Sequence, residues 1–134
     1  MYGIYINCNH AQFIDLILSG AKPYETRKRN MLRNLIGKRV ALIETGKGPA
    51  MIRGFATISS AERINFDNID ARKSARIFRT AYDIQPDGAK WFYKLSDVQN
   101  VDPFHSPADR VNHGRSWTEF TLPDMSNPVG LPNR

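Results

Sequence analysis

Apolar and polar residues alternate in short runs along most of this chain, the period-two signature of half-buried strands. Tyr2 to Cys8 sets Ile4 and Ile6 against Tyr5 and Asn7 and predicts a first strand. The period then lengthens. Phe13, Ile14, Ile17 and Leu18 recur at helical spacing, with Asn9 placed to cap the helix and Gly20 to stop it. Pro23 to Arg29 is expected to be extended. Strict alternation there puts Glu25, Arg27 and Arg29 on one face and Tyr24, Thr26 and Lys28 on the other. Lys22 falls on the wrong parity to join Glu25, so a kink at Pro23 or a bulge is required if both turn inward.

Arg33 to Gly37 predicts a turn or short helical loop. Lys38 to Thr45 is apolar on both faces, as a central strand would be. The turn cluster Gly46 to Pro49 folds Ala50 to Ser59 back as a hairpin, with Gly54 marking a bulge or a close backbone approach. A polar connection from Ala61 to Asp67 leads to a second helix capped by Asp67, Asn68 or Asp70. After a turn at Gln85 to Gly88, Trp91 to Val98 alternates strongly, and Val101 to Phe104 extends it. A long loop to Gly114 precedes a last strand, Trp117 to Leu122. The Pro- and Gly-rich tail, 123–134, has no periodicity. The expected class is α+β: one domain over residues 1–122, with a mainly antiparallel sheet curled into a barrel and flanked by two or more helices.

The chain of 134 residues carries a net charge of +6, which favours an anionic partner. The clustering says more than the sum. Arg27, Lys28, Arg29, Arg33, Lys38 and Arg39 follow one another with no acid between them, and Arg72, Lys73, Arg76 and Arg79 share the second expected helix. One cysteine, Cys8, excludes an internal disulfide and suits a reducing compartment. No apolar run approaches the roughly 20 residues needed to span a bilayer, and no signal peptide is indicated, so the cytoplasm is the expected location and no membrane a partner. His10, His105 and His113 lack a Cys or Asp framework at ligand spacing, so no metal or other cofactor is expected. Ser116 has no predictable base for a serine triad.

The densest chemistry lies in Ser19 to Arg29. The order of motifs resembles the ASCH domain of the PUA-like superfamily: Leu18, Ser19 and Gly20, then Lys22, Glu25 and Arg27 as Lys-x-x-Glu-x-Arg, then Gly37 to Leu42, then Gly54 to Ala56. The aromatic strand from Trp91 and the Gly-Arg-Ser-Trp run ending at Trp117 continue the likeness, which spans roughly residues 3 to 122. The resemblance implies a PUA-like β-barrel with a cleft beside the Lys-x-x-Glu-x-Arg segment that binds RNA, a nucleotide or a nucleoside. It also implies an alternative. Some members of similar size are amidohydrolases on N4-acetylcytidine using a lysine, a threonine and a distant glutamate, and others are ribonucleases. Carried over, the lysine is Lys22, the threonine position is held by Glu25, and the acid falls near Asp67 or Asp70. On this reading Lys22, Glu25 and Asp67 form the catalytic set. Arg27, Lys28, Arg29, Arg33, Lys38 and Arg115 are the nucleic-acid contacts, joined by Trp117 as a stacking platform.

Overall fold

A computed structural model of the chain describes residues 1–9, 11–65, 89–107 and 116–122. Within them lie six strands and one short helix: β1 (Tyr2–Asn7), α1 (Phe13–Leu18), β2 (Tyr24–Arg27), β3 (Arg39–Thr45), β4 (Met51–Asn65), β5 (Ala89–His105) and β6 (Trp117–Glu119), with a 3₁₀ turn at Arg33–Leu35. The strands form one sheet in the order β2-β5-β4-β3-β1-β6. Every neighbouring pair is antiparallel except β1 and β3. The crossover between those two carries α1 and β2, as a parallel pair requires.

The strand expected to be central is central. Val40 and Leu42 of β3 face one core and Ala41 and Ile43 the other. The first core gathers α1, the 3₁₀ turn and the inward residues of β1, β4 and β5. The second lies on the opposite face, where Tyr5, Ala41, Ile43 and Ile52 are covered by Phe55, Phe104 and Phe120. Gly54 has both properties read into it. The ladder between β4 and β5 shifts register between Ile52 and Gly54. A methyl group placed on Gly54 would also strike the Gln99 carbonyl and stand 2.7 Å from a Leu18 methyl carbon. The missing side chain lets α1 and β5 crowd the strand from two sides.

Several expectations are corrected. The sheet is open, not a closed barrel: β2 and β6 are its two edges and do not pair. Each is hydrogen-bonded on one side alone, β2 to β5 and β6 to β1. A side chain reaches across the gap instead, as the site shows. The polar stretch from Ala61 is not a connection, because β4 continues to Asn65 opposite β5. Glu62 and Arg63 are exposed there while Ile64 is buried, and the facing part of β5 pairs with β2 on its other edge. Helix α1 starts later than expected, with Gln12 at its N-cap and no side-chain cap; Asn9 instead receives a hydrogen bond partner of its own, donating its N–H to Asn7 Oδ1 at 2.8 Å. The last strand ends at Glu119 rather than Leu122. The second expected helix, with Asp67 and its cations, lies outside the described residues, as do Arg115 and the tail.

Candidate functional site

Helix α1 delivers the chain to the site. Ile14 and Ile17 bury one side of it, and Gly20, at φ +85°, turns the backbone where a residue with a Cβ would be strained. The Lys22 N–H then returns to the Leu16 carbonyl at 3.0 Å. The strand begins only at Tyr24, so Lys22 sits in this turn and strand parity does not govern it. The inward placement comes from the turn at Gly20, before the strand, and not from a bulge within it. Lys22 is 2% exposed and Glu25 6%, and they are the two buried charged residues among the described ones.

Arg27 shares the inward face with Glu25, as alternation predicts. Its Nη2 stands 3.3 Å from Glu25 Oε2 and donates to the Tyr5 carbonyl at 2.8 Å. That second bond joins β2 to β1 across the open side of the sheet. Tyr5 also donates its N–H to the Ser116 carbonyl, at 3.1 Å. One residue of β1 therefore ties Arg27 to the segment that leads into β6. Glu25 accepts the Thr26 N–H at 2.9 Å through its other oxygen. The Arg27 Nε is buried with no hydrogen-bond partner.

Beyond Arg27 the chain leaves the sheet and turns its cations outward. Lys28, Arg29 and Arg33 are exposed. The loop is pinned from beneath by Tyr93, which is fully buried on β5. The Tyr93 hydroxyl accepts the Leu32 N–H at 3.3 Å and donates to Asn30 Oδ1 at 2.7 Å. Burial pushes the phenol up from its ordinary pKa, against opposing pulls from the Leu32 hydrogen bond and the Arg27 charge.

Between this loop and the start of β6 runs a groove of about 590 Å³. Arg29, Asn30, Met31, Arg33 and Asn34 form one wall, and Ser116 and Trp117 the other. The walls touch through Ser116 Oγ, 3.2 Å from Met31 Sδ. Trp117 is half-buried, with its ring edge-on to Tyr2 at 5.7 Å and 66°. Lys38 caps the far side of the same aromatic pair, its Nζ 5.4 Å from the Tyr2 ring centre.

The expected site residues thus separate into two layers. Lys22, Glu25 and Arg27 lie inward, whereas Arg29, Arg33 and Trp117 line the groove. Lys28 and Lys38 are exposed nearby without lining it. Asp67 and Arg115 lie outside the described residues. Asn30, Met31 and Asn34 of the groove, and Tyr93 beneath it, are additions that no motif marked. The one signal available was that two amides flank a short apolar run in a stretch otherwise rich in cations.

Neither a scan against family profiles nor a search of curated proteins finds a match. Solved structures do match. Three crystal structures of the ASCH protein from Zymomonas mobilis superpose on this chain. A serine-to-alanine variant gives a TM-score of 0.65 at 18% identity, covering 90% of this chain and 87% of that one. A tyrosine-to-phenylalanine variant gives 0.60 at 16%, covering 90% and 89%, and the unsubstituted protein 0.60 at 16%, covering 90% and 87%. The chain has the ASCH fold.

Proposed function

We propose that this chain is an ASCH-type module that binds single-stranded RNA, or a nucleotide, in the groove between the 29–34 loop and the start of β6. One observation carries the reading: a single groove of about 590 Å³ combines two guanidinium groups, two side-chain amides and an indole. That volume falls within the roughly 300–1,000 Å³ typical of ligand sites. Arg29 and Arg33 suit phosphate oxygens, and Trp117 offers a surface for stacking, worth about 1–3 kcal/mol per base. The net charge of +6 raises the local concentration of any polyanion.

The test is the salt dependence of binding to a fluorescein-labelled single-stranded RNA, followed by anisotropy. Each neutralised phosphate contributes about −0.7 to the slope of log K against log salt. The Arg29→Ala/Arg33→Ala double variant should reduce the slope by about 1.4 if each guanidinium meets one phosphate. An unchanged slope removes the groove as the contact surface.

A hydrolase acting on a modified nucleoside, or a ribonuclease, is the second reading. It is favoured by the burial of Lys22 and Glu25, since burying ionisable groups is costly and such groups recur at sites of chemistry. Turnover of N4-acetylcytidine or single-stranded RNA that disappears in a folded Lys22→Met variant would support it. Absence of product from both substrates argues for binding alone.

A further inference from the structure

The groove carries one polar group whose orientation is fixed from behind. The Tyr93 hydroxyl has a single proton, and one of its lone pairs is taken by the Leu32 N–H at 3.3 Å. Two acceptors are in reach of that proton: Asn30 Oδ1 at 2.7 Å and the Arg29 carbonyl at 3.5 Å. With the Asn30 amide turned over, an N–H would point at the phenol, whose proton would be left with the Arg29 carbonyl at the limit of hydrogen-bond range. The short contact therefore sets the amide with its oxygen inward and its –NH₂ toward the groove. Burial holds the phenol protonated well into the alkaline range, so the lock persists at ordinary pH.

We infer that Asn30, held by Tyr93, is a specificity-determining residue, and that it selects a base bearing a carbonyl oxygen over one bearing an amino group at the same position, uracil over cytosine. The inference rests on the nucleotide-binding reading above and adds the ligand's chemistry to it. Uracil and cytosine match in size and charge. They differ at the exocyclic group on C4, a carbonyl in one and an amine in the other, and at the adjacent ring nitrogen. A carbonyl facing the Asn30 amine completes a hydrogen bond, whereas an amine there sets donor against donor and leaves both unpaired once water is displaced. Arg29 and Arg33 also donate only and do not relieve that mismatch; the side-chain acceptors of the groove, Asn34 and Ser116, belong to other positions than the one facing Asn30.

Labelled eight-nucleotide oligo-uridine and oligo-cytidine, titrated against the full chain at fixed salt, test this. The wild-type protein should bind oligo-uridine about five- to tenfold more tightly, the worth of one hydrogen bond made or left unmade. Asn30→Asp keeps an acceptor for the Tyr93 proton but presents oxygen to the groove. It weakens both ligands by charge and should invert their ratio in favour of oligo-cytidine. Tyr93→Phe frees the amide to turn and should bring the ratio to within about twofold of one, since either orientation then pairs. Equal binding of the two oligomers by the wild type, or a preference that Asn30→Asp leaves intact, overturns the inference while the binding site stands. Failure of both oligomers to bind removes the nucleotide reading and this inference together.

Discussion

Replacing Arg27 with methionine should cost this protein about 3 kcal/mol, and the structure says where the loss arises. The guanidinium is 20% exposed and the Glu25 carboxylate 8%, so water screens the pair weakly. Methionine keeps most of the side-chain volume and removes the donor. The 2.8 Å bond to the Tyr5 carbonyl is charge-assisted, and such bonds contribute about 1.5–3 kcal/mol. The carboxylate retains the Thr26 N–H but loses a cation at 3.3 Å, which adds about 1 kcal/mol for a partly buried pair at this separation. Against a typical stability of about 5–15 kcal/mol, the protein stays folded and the loss is measurable.

Urea denaturation followed by tryptophan emission, extrapolated linearly to water, reads the change. Glu25→Gln alone should cost less, about 1 kcal/mol, because the arginine keeps its bond to Tyr5. In the double variant no carboxylate is left without the arginine, so its cost should fall short of the sum of the two single costs by about 1 kcal/mol. A loss in Arg27→Met below about 0.5 kcal/mol, with additive costs in the double variant, would refute the claim that this residue closes the open side of the sheet.

Gly54→Ala should destabilise by about 2 kcal/mol or more, read as a lower urea midpoint, because its methyl would collide with the Gln99 carbonyl, which β5 holds in the sheet. Tyr93 is an acid whose folded pKa lies above the unfolded value of 10.0. The folded state therefore binds more protons between the two values, and stability falls as pH rises above about 10; the difference in stability between wild type and Tyr93→Phe across that range should show this fall and nothing below it. Cys8 is 1% exposed, and burial raises its thiol pKa above 9.0, so it should react with a thiol reagent at pH 8 only as fast as the protein opens, and at once in urea. Arg53→Met removes bonds of 2.7 Å to both Asp15 and Glu44 and should lower stability by about 1–2 kcal/mol, read as a lower urea midpoint, mostly through Glu44, the less exposed partner.

Much of the fold was legible because its signals are local. The both-faced apolar run of Lys38 to Thr45 could only be a central strand, and Gly54 announced an irregularity by lacking a side chain among strand formers. Barrel closure was not legible. Which strands become neighbours is a long-range property that no local pattern states, and β2 stops after four residues although the extended pattern continues to Arg29. Past its end the chain enters a loop that Tyr93 holds through Asn30 and Leu32, from more than sixty positions away. The same contact explains why Asn30 escaped notice: its role comes from a partner that no spacing rule connects to it. The parity conflict at Lys22 was a correct deduction from the sequence, resolved by a turn at Gly20 that keeps Lys22 out of the strand.

The run of cations after Pro23 serves two purposes, and strand parity divides them. While the chain is in β2, alternate residues point at the core, so Glu25 and Arg27 are inward and their charges must be satisfied by protein groups. Once the strand ends, Arg29 and Arg33 face solvent and can be satisfied by a ligand. Tyr5 links the two layers, since its carbonyl holds Arg27 and its N–H holds the Ser116 wall of the groove. The buried layer is thereby connected, through Tyr5, to the Ser116 wall of the groove. If the groove binds RNA as proposed, Arg27→Met, at a residue that lines no part of the groove, should weaken that binding with little change in the salt slope, whereas Arg29→Ala changes the slope itself. The two kinds of arginine are distinguishable in one titration series, and an Arg27 variant that lowered the slope as Arg29→Ala does would place its guanidinium on phosphate and undo the division.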